Sequence, residues 1–352
     1  MKKVIISLLL VSVAWVSCEE YDTIKEVDND YKTNFEAFWK LIDEQYCYLD
    51  YKNIDWDAVY NEMMPRVEAV KSEQEFFNVL ESSLDYLRDG HVWMISPFKT
   101  YSCDTYKIDE NGNAYPENFD SEVIEDYYLK EKFRTMASGI TFGEIERDGH
   151  TYAYIYYGGF ERDWTEDDYK YIDPVVERAE GLIFDIRNNP GGSGETGLTL
   201  SGNFFSEKTI IGYHAIKTGK GHNDFSELQA LYSRPSKDHN WSDKKTILLT
   251  NRDVYSTANL FTCALKQAKN VTQVGGISGG GGAMPMTHYL PNGWLVVFPG
   301  NVLFDTNKQH IENGIEPDIE VTSTDADFEA GRDAIIEAAL VELMKKAVHF
   351  CK

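Results

Sequence analysis

The chain has little positive charge. Its 352 residues include 34 lysines and arginines against 58 aspartates and glutamates, which gives a formal net charge of −24 at pH 7. A balance of this sign repels nucleic acid and anionic membrane surfaces, so we expect neither as a partner. The acidic excess also suits the solubility of an exposed protein, which is the interpretation we prefer. Hydrophobic residues at 42% and aromatic residues at 13% still predict a folded chain, long enough for one or two domains.

The sequence also lacks metal-binding spacings. Neither the five cysteines nor the eight histidines form a pattern such as Cys-x-x-Cys, so we expect no metal and no cofactor. Disulfides are permitted outside the cytoplasm, but Cys47, Cys103, Cys263 and Cys351 allow three full pairings, and nothing chooses among them. Cys263 lies on the apolar side of a predicted helix, which predicts a buried free thiol.

No apolar run is long enough to span a membrane. Val4 to Val16 follows two lysines and has the short apolar core of a signal peptide. It ends at Cys18 in a stretch that resembles a bacterial lipoprotein box, although Trp15 stands where leucine is usual. This resemblance implies lipidation of Cys18, export and anchoring to the outer membrane, facing the periplasm or the surface. Ordinary signal cleavage is the alternative. The acidic residues 19–30 predict a tether, and Glu19-Glu20 resembles export signals of surface lipoproteins in Bacteroidetes-like bacteria.

The N-terminal part of the mature chain has helical periodicity. Apolar residues at helical spacing predict three helices, over 34–46, 56–70 and 73–87. The segment Leu87-Arg-Asp-Gly-His91 then turns into a strand. We therefore divide the chain into a helical region (31–97), an irregular insert (98–138) and a core with a C-terminal helix (139–352). Within the core we expect a hairpin over 140–157, a polar excursion over 212–241 at the rim of a groove, and a closing helix over 327–347.

The rest of the core is arranged around a strand, a sharp turn and a helix. Leu182 to Ile186 predicts a buried strand, and a helix resumes at Thr196. Between them, Asn188-Asn-Pro-Gly-Gly192 turns the chain, since proline fixes φ and glycine permits positive φ. Backbone N–H groups in such a turn can face an anion. A phosphate-binding loop would also fit, but the Lys-Ser/Thr that follows such loops is missing.

A second strand-to-helix junction lies downstream. Lys245 to Thr250 predicts a buried strand, and Ser256 begins a helix whose apolar residues recur at i, i+3 and i+4. A serine at a helix N-terminus is commonly an N-cap. It can also be a nucleophile, because the helix N-terminus favours negative charge that develops nearby. The junction alone leaves both interpretations open.

Three motifs together resemble the carboxyl-terminal-processing serine peptidases, a family that includes the tail-specific proteases and the tricorn core protease. The motifs are Asp185-Ile-Arg-Asn-Asn-Pro-Gly-Gly192, Ser256-Thr-Ala-Asn259 and Gly314-Ile-Glu-Pro-Asp-Ile-Glu-Val321. The resemblance covers 139–321 as the catalytic core and 31–95 more loosely. It implies a mixed α/β (α+β) core of strands with packed helices, preceded by a small helical region. Many relatives carry a PDZ domain between these parts, but only about 40 residues are available here, so we expect no intact PDZ domain.

The resemblance also implies catalytic roles. Ser256 is the expected nucleophile. In the tail-specific branch the base is a lysine about 25 residues further on, where this chain has Gly281, so that dyad is missing. The tricorn-like branch uses a histidine within a Leu-x-Asp-Gly-His turn, which predicts His91 as the general base. Glu312 occupies the family's acidic position, which orients that histidine through a neighbouring serine. Because Gly90 replaces this serine, the resemblance implies that Glu312 acts through water or only structurally.

The oxyanion hole implied by the family consists of backbone N–H groups of Thr257 and of Gly191 or Gly192. The sequence thus predicts a serine-type endopeptidase that cleaves peptides or unfolded proteins through an acyl-enzyme. The alternative is a non-catalytic binding protein for a peptide, glycan or apolar ligand on the same scaffold, which the missing lysine and Gly90 favour. In that case His91 is only a polar turn residue. The substrate, the cleavage preference and the oligomeric state stay open.

Overall fold

The computed structural model describes residues 30–104, 107–108, 111–130 and 132–345. The predicted signal peptide with Cys18, the predicted tether except Asp30, and Cys351 lie outside these residues. Within the described ranges, no helix combines the length and apolar character that crossing a membrane requires.

The described chain begins and ends with α-helices, and its strands lie between them. The helices are α1 (Tyr31–Gln45), α2 (Trp56–Ala69), α3 (Glu73–Leu84), α4 (Ser121–Val123), α5 (Glu166–Arg178), α6 (Gly194–Ser201), α7 (Thr257–Leu265), α8 (Asp325–Glu329) and α9 (Ala334–Met344). The strands are β1 (Trp93–Ile95), β2 (Thr100–Ser102), β3 (Phe133–Thr135), β4 (Ile140–Arg147), β5 (His150–Tyr157), β6 (Leu182–Asp185), β7 (Ile210–Ile216), β8 (Gln229–Tyr232), β9 (Thr246–Thr250), β10 (Val271–Gly275), β11 (Pro285–Tyr289), β12 (Leu295–Pro299), β13 (Asn301–Phe304) and β14 (Ile319–Glu320). The predicted mixed α/β class is confirmed.

The largest sheet has the strand order β14-β10-β9-β6-β5-β4-β3. The strands from β5 to β14 in this order run parallel, and β3, β4 and β5 are antiparallel. Every residue of β6 and β9 is buried, as continuous apolar runs in the middle of a parallel sheet require. Successive β6 side chains point to opposite faces. Phe184 belongs to the core that contains α5 and α7, and Ile183 to the core that contains α9.

A second core joins the N-terminal helices to a later part of the chain. Apolar faces of α1, α2 and α3 pack with side chains of a four-stranded antiparallel sheet of order β11-β12-β1-β2. Trp93 of β1 pairs with Val297 of β12. Since Trp93 comes two residues after His91, this pairing fixes the turn that carries His91 against the C-terminal half of the chain.

Most predicted elements are confirmed, including the three N-terminal helices, the N-terminal hairpin of the core and the strands at both junctions. The excursion over 212–241 contains the hairpin of β7 and β8, and β7 also pairs with β13 in a third sheet. One prediction was wrong. The closing helix is two helices, because Gly331, at φ 68°, ends α8 and Asp333 then caps α9. Residues 346 and 347 of that predicted helix lie outside the described ranges.

A buried ion cluster fastens α9 to the end of β6. Arg187 is fully buried, and its guanidinium lies 2.6 Å from Asp185 Oδ2 and 2.7 Å from Asp333 Oδ2. Asp333 is the N-cap of α9. Asp185 and Asp333 thus share one buried cation.

We expect Arg187→Met to lower the free energy of unfolding by about 3–5 kcal/mol, because two carboxylates would be left buried without their cation. Arg178→Met is the control. Its pair with Glu144 is largely solvent-exposed, so a loss below about 1 kcal/mol is expected. Urea unfolding measures both, and equal losses would contradict the structural role of the cluster.

Candidate active site

The site forms where the ends of two neighbouring parallel strands meet. Strands β6 and β9 pair in parallel, so the turns after them lie at the same edge of the sheet. Side chains and backbone then join the turns. Asn188 N–H donates to Asn251 Oδ1 at 2.9 Å, and Tyr255 N–H donates to Asn189 O at 3.0 Å. The first turn is therefore held against the residues that precede Ser256.

Ser256 adopts a conformation unusual for a residue with a side chain. Its φ is 56° and its ψ is −121°, and its side chain makes no capping hydrogen bond to α7. Its N–H donates to Gly280 O at 2.9 Å, which fixes the backbone. Ser256 Oγ lies 3.0 Å from His91 Nε2 instead. The structure thus shows a hydroxyl directed at an imidazole rather than an N-cap, and strained backbone of this kind is typical of functional sites.

His91 reaches Ser256 across 165 residues of sequence. The backbone N–H of His91 donates to Asp89 Oδ1 at 2.8 Å, and the His91 ring packs on the ring of Tyr255 with 4.9 Å between centroids. Burial lowers the pKa of His91, Asp89 opposes this change and Lys52 adds to it. The neutral imidazole is therefore favoured near pH 7, and in the tautomer that carries its proton on Nδ1 the Nε2 atom can accept the proton of Ser256. His91 Nδ1 is buried and has no hydrogen-bond partner among the described residues.

Glu312 lies in the same buried region but does not hydrogen-bond to His91. Its Oε1 lies 2.7 Å from Lys52 Nζ, and its Oε2 accepts the N–H of Gly282 at 2.8 Å. Burial and the neighbouring Asp89 raise the pKa of Glu312 to about 7, against the opposing effect of Lys52. Burial also disfavours charge on Asp89, but Lys52, His91 and hydrogen bonds hold the pKa of Asp89 below its ordinary value.

Sequence reasoning missed Lys52. This lysine lies in the turn after α1, between tyrosines at 46, 48 and 51 and the isoleucine at 54. A lysine among so many apolar rings was a usable signal, because lysine is almost never buried unless it is paired. Its partners could not be read from the sequence, since Asp89 and Glu312 are far from it along the chain.

The glycine turn lies directly beside the serine. Gly191 and Gly192 have φ of 104° and 133°, and Thr257 Oγ1 donates to Gly192 O at 2.7 Å. The N–H of Gly191 already donates to Asn189 Oδ1 at 2.9 Å. The backbone N–H groups of Gly192 and Thr257 have no acceptor among the described residues. Thr257 is the first residue of α7, so its N–H has no acceptor within the helix.

A cleft of about 400 Å³ opens at Ser256. Its walls are mostly apolar and come from α6, α7, the β7–β8 hairpin and β13. They include Leu198, Leu231, Leu260, Ala283, Met284, Pro285 and Leu303, with Glu195 and His214 among the polar members. Across the described ranges, no group of three or more His, Cys, Asp or Glu side chains is arranged to hold a metal ion. The arrangement offers a hydroxyl within hydrogen-bond distance of an imidazole, two N–H donors and an apolar recess.

We expect Gly191→Ala to destabilise the protein by about 3 kcal/mol, because a Cβ there would lie 2.8 Å from Ser256 Cβ and from two backbone atoms and would require positive φ. Gly194→Ala is the matched control, since a Cβ at Gly194 meets no atom within 4 Å. Thermal unfolding of the two variants measures the difference. An unchanged midpoint for Gly191→Ala would contradict the close contact between the glycine turn and Ser256.

Comparison with known proteins adds an independent finding. The family model described as Peptidase family S41 matches residues 151–321, and the one described as Tricorn protease C1 domain matches residues 27–84. The crystal structure of a proposed peptidase from Parabacteroides merdae is similar, with 36% identity, a TM-score of 0.83, and coverage of 91% of this chain and 98% of that one. The structure of mature CPAF complexed with lactacystin has the same fold at 12% identity and a TM-score of 0.68, with coverage of 91% and 98%.

A carboxyl-terminal-processing protease of Synechocystis is 23% identical over 174 residues. The match takes in 49% of this chain but only 38% of that protein, so the chain spans well under two thirds of the length of this relative.

Proposed function

The chain belongs to peptidase family S41, and from this membership we propose that it is a serine endopeptidase that cleaves peptides or unfolded proteins through an acyl-enzyme. The family predicted from the three sequence motifs is confirmed. The observation that supports the reaction is the 3.0 Å contact between Ser256 Oγ and His91 Nε2. A nucleophile within hydrogen-bond distance of a base is what acyl transfer requires.

In the proposed acylation step, His91 Nε2 takes the proton of Ser256 as Oγ attacks the carbonyl carbon of the scissile bond. The oxygen that becomes negative accepts hydrogen bonds from the N–H groups of Gly192 and Thr257. The imidazolium then gives its proton to the leaving amine, and the C–N bond breaks. In deacylation, His91 deprotonates a water that attacks the ester, and the proton returns to Ser256 as the carboxylic acid leaves.

The charge on Asp89 favours the imidazolium that forms in both steps, since Asp89 raises the pKa of His91. Of the two roles expected for Glu312, we assign it the structural one. It binds Gly282 N–H and Lys52, and so supports residues 279–282, the glycine loop, whose Gly280 O accepts the backbone N–H of Ser256. The apolar recess of the cleft suits an apolar side chain next to the scissile bond.

The reaction is tested by incubating the purified protein with an unfolded protein mixture and reading new peptide termini by mass spectrometry. The wild type should generate termini, and Ser256→Ala and His91→Gln should lower their rate by about 1,000-fold or more. Ser72→Ala, which removes the N-cap serine of α3 and is not among the residues that line the cleft, should leave the rate unchanged. If the wild type produces no termini, the alternative of a non-catalytic binding protein is favoured; if Ser256→Ala cleaves as fast as the wild type, the mechanism is wrong.

The pH dependence of kcat/KM is a separate prediction. His91 must be neutral to accept the serine proton, and burial lowers its pKa from 6.5. Activity should therefore be retained as the pH falls to 6.5 and be lost only below it, as a proton binds to Nε2. Initial rates at low substrate concentration give this limb. A limb centred above pH 6.5 would contradict a buried His91 as the base.

Predicted export and lipidation at Cys18 fall outside the described residues and stay predictions.

A further inference from the structure

The ammonium group of Lys52 is enclosed between the turn that carries His91 and the segment that carries Glu312. The Lys52 side chain is only 7% exposed, and its Nζ lies 2.7 Å from Glu312 Oε1 and 3.4 Å from Asp89 Oδ2. It also donates to the carbonyl oxygens of Leu87 and Arg88, at 3.2 Å each. The ammonium therefore has four oxygen partners in two segments that are far apart in sequence.

Each of these segments supports one partner of the reacting pair. The Leu87–His91 turn carries the base, and Asp89 Oδ1 holds the N–H of His91 at 2.8 Å. Glu312 holds the glycine loop, because its Oε2 accepts from Gly282 and its carbonyl oxygen accepts from Gly281 at 3.1 Å. The neighbouring Gly280 O accepts the N–H of Ser256.

The backbone of Lys52 is held in place by hydrogen bonds. Its N–H donates to Tyr48 O at 2.9 Å, and Ile54 N–H donates to Leu49 O at 2.9 Å, so the turn after α1 is closed by its own backbone. The ammonium also lies 5.8 Å from the ring centroid of Tyr46 and 5.4 Å from that of Tyr48. A flexible side chain is thus confined to one position.

We propose that Lys52 is a positioning residue of the active site. This buried cation fixes the Leu87–His91 turn relative to the segment that contains Glu312 by pairing with one carboxylate from each. The inference rests on the proposed function. Lys52 contacts neither the cleft nor Ser256 in the described contacts, so it acts through Asp89 and Glu312. None of the three sequence motifs assigns this role to a lysine. The lysine of the tail-specific branch, expected near Gly281, is a general base and would contact the serine.

Two consequences follow for a Lys52→Met variant. The first is a loss of kcat by about 100-fold with little change in KM, because a small displacement of His91 from Ser256 slows the chemical step while the cleft is untouched. The second is electrostatic. The ammonium disfavours the imidazolium, so its removal raises the pKa of His91 and moves the acidic limb of kcat/KM to higher pH.

The direction of this second effect depends on every group nearby. The titratable groups that act on Lys52 or His91 are Asp89, Glu312, Cys47, Tyr46, Tyr48, Tyr51 and Tyr255. Without the cation, Glu312 takes the proton first, since its pKa is already raised to about 7. Asp89 stays ionised through its hydrogen bonds from His91 N–H and Tyr46 OH, and continues to favour the imidazolium.

The test compares Lys52→Met, Lys52→Arg and Lys99→Met. Lys99 pairs with Glu81 and lies over the Phe77 ring, so it controls for loss of a partly buried lysine in the same half of the molecule. The pKa of His91 is read by NMR titration of the imidazole, assigned with His91→Gln, and kcat and KM are read on a peptide substrate. The NMR arm reports on the charges even if the chain cleaves nothing, so failure of this inference and failure of the proposed function are distinguishable.

We expect Lys52→Met to raise the His91 pKa and lower kcat, Lys52→Arg to keep the pKa and recover part of kcat, and Lys99→Met to change neither. Wild-type kcat and an unmoved His91 pKa in Lys52→Met would overturn the inference. If Lys52→Met does not fold, Lys52→Met/Glu312→Gln removes one charge of each sign and is compared with Glu312→Gln alone. A higher His91 pKa in the double variant supports the inference, and identical pKa values overturn it.

Discussion

The contact between His91 and Ser256 depends on the backbone pairing of β1 with β12. His91 stands two residues before β1, whereas β12 follows the glycine loop that holds the N–H of Ser256. Antiparallel pairing fixes the register of the two strands. The turn that carries the His91 imidazole therefore lies at a fixed distance from the strand-to-helix junction that carries the Ser256 hydroxyl. The three N-terminal helices pack in the same core as this sheet, so the helical region is fixed directly to the strand that follows His91.

Two buried clusters reinforce this arrangement in the same way. In each, one cation lies between two carboxylates from distant parts of the chain: Arg187 between Asp185 and Asp333, and Lys52 between Asp89 and Glu312. Buried ion pairs add little net stability over apolar packing, but breaking one is costly. Their effect here is to fix which segments meet. The first cluster holds the end of β6, where the glycine turn begins, and the second holds the turn of His91 and the glycine loop next to Ser256.

Short stretches of sequence were enough to predict the two strand-to-helix junctions of the site. Strands β6 and β9 are continuous apolar runs, and the proline and glycines between Asn188 and Gly192 specify a turn, so both junctions could be located from the sequence. The closing motif after Gly314 was recognised only by resemblance. In the structure Gly314 has φ 107° and lies against Ser278 O, while Asp318 accepts the N–H of Gln273, so this motif docks a loop on β10.

The rest could not be predicted because it is long-range. The two strands within the polar excursion over 212–241 were not predicted, because the strand that completes their sheet, β13, lies about 70 residues beyond β8 and contributes a pairing that the local pattern does not show. The break between α8 and α9 had a local signal in Gly331 and Asp333, which the continuing apolar periodicity obscured. Lys52 had no motif at all. Its position follows from where three segments meet, which is a property of the fold rather than of any one stretch.

The central claim is that Ser256 is a nucleophile activated by His91. Reaction of the folded protein with a fluorophosphonate, followed by peptide mass spectrometry, tests this without knowledge of the substrate. The account predicts a single modified serine, Ser256, and a labelling rate at least about 100-fold lower in His91→Gln. Labelling of other serines in its place, or equal labelling in the presence and absence of His91, would contradict it.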